Sequence, residues 1–172
     1  MAGDTSLSAY ITRETLTGGT INALFSLLFV FIVFSGQSTV SMTGSAGLLV
    51  DSLPQGLAIG LLGSFFPSFL TRNRLRKGDI KTRLQPAPSP LPQHPFLRAL
   101  LFALLGASLT SLLFGLSYLV GGVAQLSFTL AAIIKVVWGG LLGAVVANIA
   151  LRLALRDYSS QQTGCEPSAQ VR

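Results

Sequence analysis

The sequence predicts an all-α, polytopic membrane protein: four transmembrane helices forming two similarly oriented hairpins, joined by a basic, Pro-rich cytoplasmic loop. Three observations carry this reading. Half of the 172 residues are hydrophobic and only 10% are charged, against about 25% charged in an ordinary globular domain. The apolar residues gather in four long segments separated by polar or glycine-rich stretches. The charges are confined, with seven of the twelve Lys and Arg residues (Arg72, Arg74, Arg76, Lys77, Lys81, Arg83 and Arg98) in one central waist.

Residues 1–15 read as a polar, mobile N-terminal tail. The first span, 16–34, contains nineteen residues, which at ~1.5 Å each reach about 28 Å, close to the ~30 Å hydrocarbon core. A cleavable leader is the alternative for this segment. The long preceding polar region, with Arg13 as its one basic residue, and the lack of a clean small-residue cleavage site favour a retained helix. Residues 35–50 form a small, polar outer linker without Lys or Arg.

The second span opens at Ser52-Leu53-Pro54-Gln55. That spacing predicts a capping box with Ser52 as N-cap and Gln55 reaching back, and Pro54 suits a first turn. The helix continues through Leu70, bends near Pro67 and stops at Lys77-Gly78, where a basic end meets a residue suited to a left-handed cap. The first hairpin therefore covers 16–78. Residues 79–95 are the basic, proline-rich linker, with Pro86, Pro88, Pro90, Pro92 and Pro95 favouring an extended spacer over a helix. The second hairpin, 96–156, holds a third span at 96–119 and a fourth at 128–155, with Ser127 as a cap. Residues 157–172 read as a polar, disordered cytoplasmic tail.

Charge placement orients the chain. The waist and both flanks carry the basic residues, while the two outer linkers carry none. By the positive-inside rule both termini and the waist are cytoplasmic. Arg72, Arg74, Arg76, Lys77, Lys81 and Arg83 then act as a cytoplasmic anchor against anionic head groups of the bilayer. The same placement argues against nucleic acid as the partner, despite a formal charge of +6.

The two halves also resemble each other: Gly60-Leu61-Leu62-Gly63 recurs as Gly140-Leu141-Leu142-Gly143, and in the same register Arg72 matches Arg152 and Arg76 matches Arg156. A parallel duplication about an axis along the membrane normal would produce this, although the first helices of the halves match poorly.

Lys135 stands out, because a charge within a spanning segment is costly and is a functional hypothesis by default. Snorkelling to the interface and structural pairing are the alternatives. Asp51 is the one other charged residue in the outer half, and an intramembrane pair Asp51–Lys135 linking spans two and four is expected. Gly56 and Gly60, then Gly139 and Gly143, with Gly63 and Gly140 beside them, form GxxxG-type faces for close helix packing, within the subunit or between copies. Asn22, Ser26, Asn148, Ser108, Thr110 and Ser111 suggest interhelical hydrogen bonds. Trp138 reads as packing, with a cation–π contact to Lys135 as an option.

No paired carboxylates, Ser/His/Asp set, phosphate loop or metal-ligand spacing is present. One cysteine and one histidine leave no thiolate or His cluster. The expectation is no enzyme, no cofactor and no metal.

Asp51 opening span two, the 72–78 basic run, Pro95-Phe96-Leu97-Arg98 opening span three and Lys135 in span four resemble the layout of small, largely uncharacterised four-helix bacterial inner-membrane proteins, some labelled permeases. That resemblance implies a permease-like component, and four helices enclose so little space that a path between subunits of a homo-oligomer is expected. A non-catalytic assembly or regulatory subunit binding other membrane proteins is the alternative.

Overall fold

A computed structural model describes the backbone of residues 2–78, 91–92 and 94–164, and the side chains among them from residue 7 to residue 159. Along the chain run α1 (Ala2–Phe34), β1 (Thr39–Ser41), α2 (Leu48–Lys77), α3 (Pro95–Leu119), β2 (Gln125–Ser127) and α4 (Phe128–Gly164). All four helices are long and apolar enough to cross a membrane. Their outward faces carry large exposed apolar side chains, among them Leu24, Ile32, Leu105, Leu112, Ile133 and Leu141. Water would penalise such a surface and lipid does not, because tails are as apolar as leucine. The protein is a multi-pass, membrane-embedded helical bundle.

The ends of the helices differ from the sequence reading in three places. The expected N-terminal tail is helical, and α1 begins at Ala2. Its extension is held by tertiary contacts: Ile11 is buried with Leu75 and Leu155, and Tyr10 shares a hydrogen bond with Thr71 at 3.0 Å. The C-terminal tail is helical as far as Gly164, with Asp157 buried; residues 165–172 lie outside the described residues. Lastly, α2 starts one turn before the expected capping box, with Gly47 as its N-cap. Ser52 instead donates back to Leu49 O at 2.7 Å, and Gln55 reaches across to Ser26. At its other end α2 closes at Gly78, whose φ of 78° is left-handed and whose N–H donates to the carbonyls of Arg74 and Leu75. Ser127 accepts from the Leu130 N–H at 3.3 Å at the start of α4.

The outer linkers are not featureless. β1 and β2 pair antiparallel, Val40 opposite Leu126. Met42 N–H donates to Ala124 O at 2.9 Å and Phe128 N–H to Ser38 O at 3.0 Å. Val40 and Met42 are buried with Val30, Phe34, Leu48, Phe114 and Ala131. This small ribbon closes the end of the bundle opposite the basic waist, the outer end in the expected orientation.

Helix pairing does not follow the order of the chain. Within the first hairpin α1 touches α2 sparsely, and within the second the backbones of α3 and α4 stand apart. The extensive interfaces are α1 with α4 and α3 with α2, with α2 against α4 between them. Across the bundle the order is α1, α4, α2, α3. The first helix of each half thus packs on the second helix of the other half, and β1 meets β2 across the same centre. The small residues explain the choice. A Cβ on Gly56 would lie 2.6 Å from Ala107 Cα, and one on Gly60 would run into the Phe102 carbonyl. On the other side, a Cβ on Gly143 would lie 2.5 Å from Asn22 Cβ, one on Gly18 2.8 Å from Ala147 Cβ, and one on Gly139 would strike Ser26 Oγ. Without a hydrophobic drive between helices in lipid, close backbone approach decides which faces associate.

Candidate functional site

The charged and polar groups of the bundle fall into an outer pair, a middle layer and an inner cluster. The outer pair forms because Asp51 sits in the first turn of α2 and Lys135 about two turns into α4, and these two helices run against each other. Lys135 Nζ is in ion-pair contact with Asp51 Oδ2, with side-chain exposures of 0% and 6%. The ammonium therefore does not snorkel outward. It also lies 5.4 Å from the centroid of the Phe34 ring, a cation–π distance. The cation–π option named for Trp138 goes to Phe34 instead, and the Trp138 indole N–H donates to Thr110 Oγ1 at 3.1 Å, joining α4 to α3. The β-ribbon and the apolar cluster under it lie at this same end, so the pair is shielded from water there. A charged pair in so dry a setting interacts strongly, and either charge left alone there is expensive.

In the middle layer, Gln55 Nε2 donates to Ser26 Oγ at 2.8 Å, joining α2 to α1. Ser52 and Ser111 hydroxyls meet at 3.1 Å between α2 and α3, and Asn22 donates to Gly18 O at 2.8 Å. A small cavity of about 10 Å³ lies among Asn22, Ser26, Gln55 and Ile59. Gln55 Oε1 and the hydroxyls of Ser64 and Ser68 are buried without a hydrogen-bond partner; such groups are few in a settled core. Asn148 reaches Thr15 Oγ1 at 3.0 Å and accepts from Arg152 at 2.9 Å. Ser108 is exposed.

The inner cluster is not apparent from the sequence. Arg98, 1% exposed, donates to Asp157 Oδ2 at 2.7 Å and through Nε to Pro92 O at 3.1 Å. Arg72 reaches the same carboxylate oxygen at 3.0 Å. One aspartate on α4 therefore gathers an arginine from α2 and another from α3. Arg98 read as one more positive-inside residue and Asp157 as part of a disordered tail. The available signal was an acidic residue just after the apolar run of span four, within reach of the waist.

Of the anchor residues, Arg74 pairs with Glu14 at 2.5 Å and lies 5.4 Å from the Tyr10 ring centroid. Arg76 and Lys77 are exposed, while Lys81 and Arg83 lie outside the described residues. All six glycines singled out sit at or near helix contacts inside the subunit. Gly56 and Gly60 face α3, and Gly139, Gly140 and Gly143 face α1. Gly63 is looser, its added Cβ 3.4 Å from Val146 Cγ1 and 3.5 Å from Asn22 Nδ2. Among the described residues no cluster of three or more metal-ligating side chains occurs.

The helices and their buried charges place the chain in the class of multi-pass membrane bundles. Beyond that class, no family model matches the chain, and no curated protein or solved structure matches it either.

Proposed function

We propose that the protein is a small permease-like component of the inner membrane, with both termini and the basic waist in the cytoplasm. The observation that carries this reading is that the central helix pair, α2 and α4, is clasped by buried charges at both ends. Asp51–Lys135 joins it at the outer end and Arg72–Asp157 at the inner end. Polar side chains lie between the two clasps, and Gln55 Oε1 is without a partner. Intramembrane charges are costly and commonly mark ion or substrate pathways. A pathway needs charged or polar groups that can exchange partners at each end, and a charge released from either clasp would need an ion, a solute or water as its new partner.

Residence in an oligomer is part of this proposal. The glycine faces are already used within the subunit, so association between copies would rest on other surfaces, the large apolar faces of α1 and α3 among them. The test is solute and ion flux through the purified protein in liposomes, with Lys135→Ala and Asp51→Asn as controls. Flux that depends on both residues supports the permease reading. Absence of flux for inorganic ions, protons and small organic solutes, with a membrane protein retained at fixed ratio through mild-detergent purification, would replace it with the assembly-subunit reading.

A further inference from the structure

α1 and α2 touch only sparsely, and their seam leaves a groove. Gly18 and Gly19 of α1 pack closely on α4, and Gly56 and Gly60 of α2 on α3. The α1–α2 seam has no such close approach; Ile21 and Phe25 from α1 and Leu62, Phe66 and Leu70 from α2 line it, with Gly18 and Gly63 among them. A cavity of about 540 Å³ remains between the two helices, bounded at the waist end by Glu14. Ile21, Phe25, Phe66 and Leu70 are each at least 40% exposed, so the groove opens sideways rather than into the core.

We infer that this groove is a binding site for one acyl chain of an anionic phospholipid from the leaflet on the basic side. Three features point to that occupant. The groove lies inside two spanning helices, where the surrounding medium is lipid. Along α1 it runs from Glu14 to Phe25, which at ~1.5 Å per residue is about 16 Å, half of a ~30 Å hydrocarbon core and hence one leaflet deep. Its mouth is basic. Glu14 is neutralised by Arg74, and Arg13, Arg76 and Lys77 are exposed within two turns of the groove's end. A phosphate head group held there would leave its chain lying in the groove. This site is independent of the transport proposal.

The test uses the full-length protein in bilayer nanodiscs containing a phosphatidylglycerol whose acyl chain carries a photoactivatable diazirine, with labelled peptides mapped by mass spectrometry. The same label on phosphatidylcholine is the head-group comparison. Labelling of Ile21, Phe25, Leu62 and Phe66 should exceed that of the lipid-facing α3 residues Leu105 and Leu112 by about fivefold or more, and phosphatidylglycerol should label better than phosphatidylcholine. Thr17→Trp, which fills the groove from its rim, should abolish the excess, while Leu105→Trp should not. Ile21→Trp serves the same purpose if Thr17→Trp fails to fold. Arg13→Gln with Lys77→Gln should erase the head-group preference. Equal labelling of groove and α3 face, an excess that survives a folded groove-filling variant, or a groove covered by cross-links to a second copy would each overturn the site. No preference between the two lipids would overturn its anionic character.

Discussion

The two ends of the α2–α4 pair are held by different charge arrangements. At the outer end one lysine faces one aspartate, both almost wholly buried, with no other charged residue between Glu14 and Arg72 or between Arg98 and Arg152. At the inner end one aspartate holds two guanidiniums, the second of them 23% exposed. The outer pair is electroneutral and has no substitute for either member. The inner cluster carries an excess positive charge and is partly redundant, because Arg98 still has Asp157 if Arg72 is lost. It also lies at the end of the helices that carries the other basic residues of the waist. An isolated pair behaves as a switch, on or off; a shared carboxylate weakens stepwise.

That difference ranks the expected effects of substitution. Asp157→Ala should be the most damaging, because it removes the carboxylate that meets the buried Arg98 guanidinium. The upper end of the range for breaking a buried pair, about 5 kcal/mol, is expected, read as a loss of thermal stability in detergent. Lys135→Ala should cost slightly less, about 4 kcal/mol, since it strands one carboxylate. The exchange Asp51→Lys with Lys135→Asp should recover most of the abundance lost in either single variant. An exchange as unstable as the singles would mean that the pair does not act as a unit.

A smaller effect separates the two glycine interfaces. Gly60→Ala pushes a methyl group into the Phe102 backbone, whereas in Gly143→Ala the obstacle is the Asn22 side chain. The Phe102 carbonyl is fixed by its helix, whereas Asn22 can swing its amide but not its Cβ, so overpacking of about 3 kcal/mol is expected at Gly60 and about 2 kcal/mol at Gly143. Equal melting temperatures for the two would remove the distinction. Arg72→Gln should be mildest, below about 1 kcal/mol, as for a partly exposed pair with a surviving partner. A loss as large as that of Asp157→Ala would show that the inner cluster is not redundant.

Particular residues show how far the sequence could be read. Asp51 and Lys135 were visible as a pair because they are the only charges in a stretch where charge is expensive, so each needed the other. Gly78 was visible as a stop because its cap is local. Arg98 and Asp157 were hidden, since each has an adequate local explanation, one in an anchoring waist and the other in a polar tail. Gln55 was assigned to a cap by a four-residue pattern, and a neighbouring helix claimed it instead. A tertiary hydrogen bond to Ser26 engages the amide nitrogen of a buried side chain whose oxygen stays unpaired.

The sequence alone determined four segments long and apolar enough to span a membrane, and its charge placement supplied the expectation of sidedness. Hydropathy over about twenty residues and the placement of Lys and Arg are properties of each segment by itself, and the bilayer acts on them one segment at a time. Only the tertiary structure decided which helices meet. Connection in the chain favours sequential hairpins, but packing in lipid depends on whether two faces can bring their backbones close, and that is a joint property of two helices in register. Gly56 and Gly60 found α3, and Gly139 and Gly143 found α1. The exchange of first helices between the halves, the inner arginine–aspartate cluster and the open α1–α2 seam all follow from those choices.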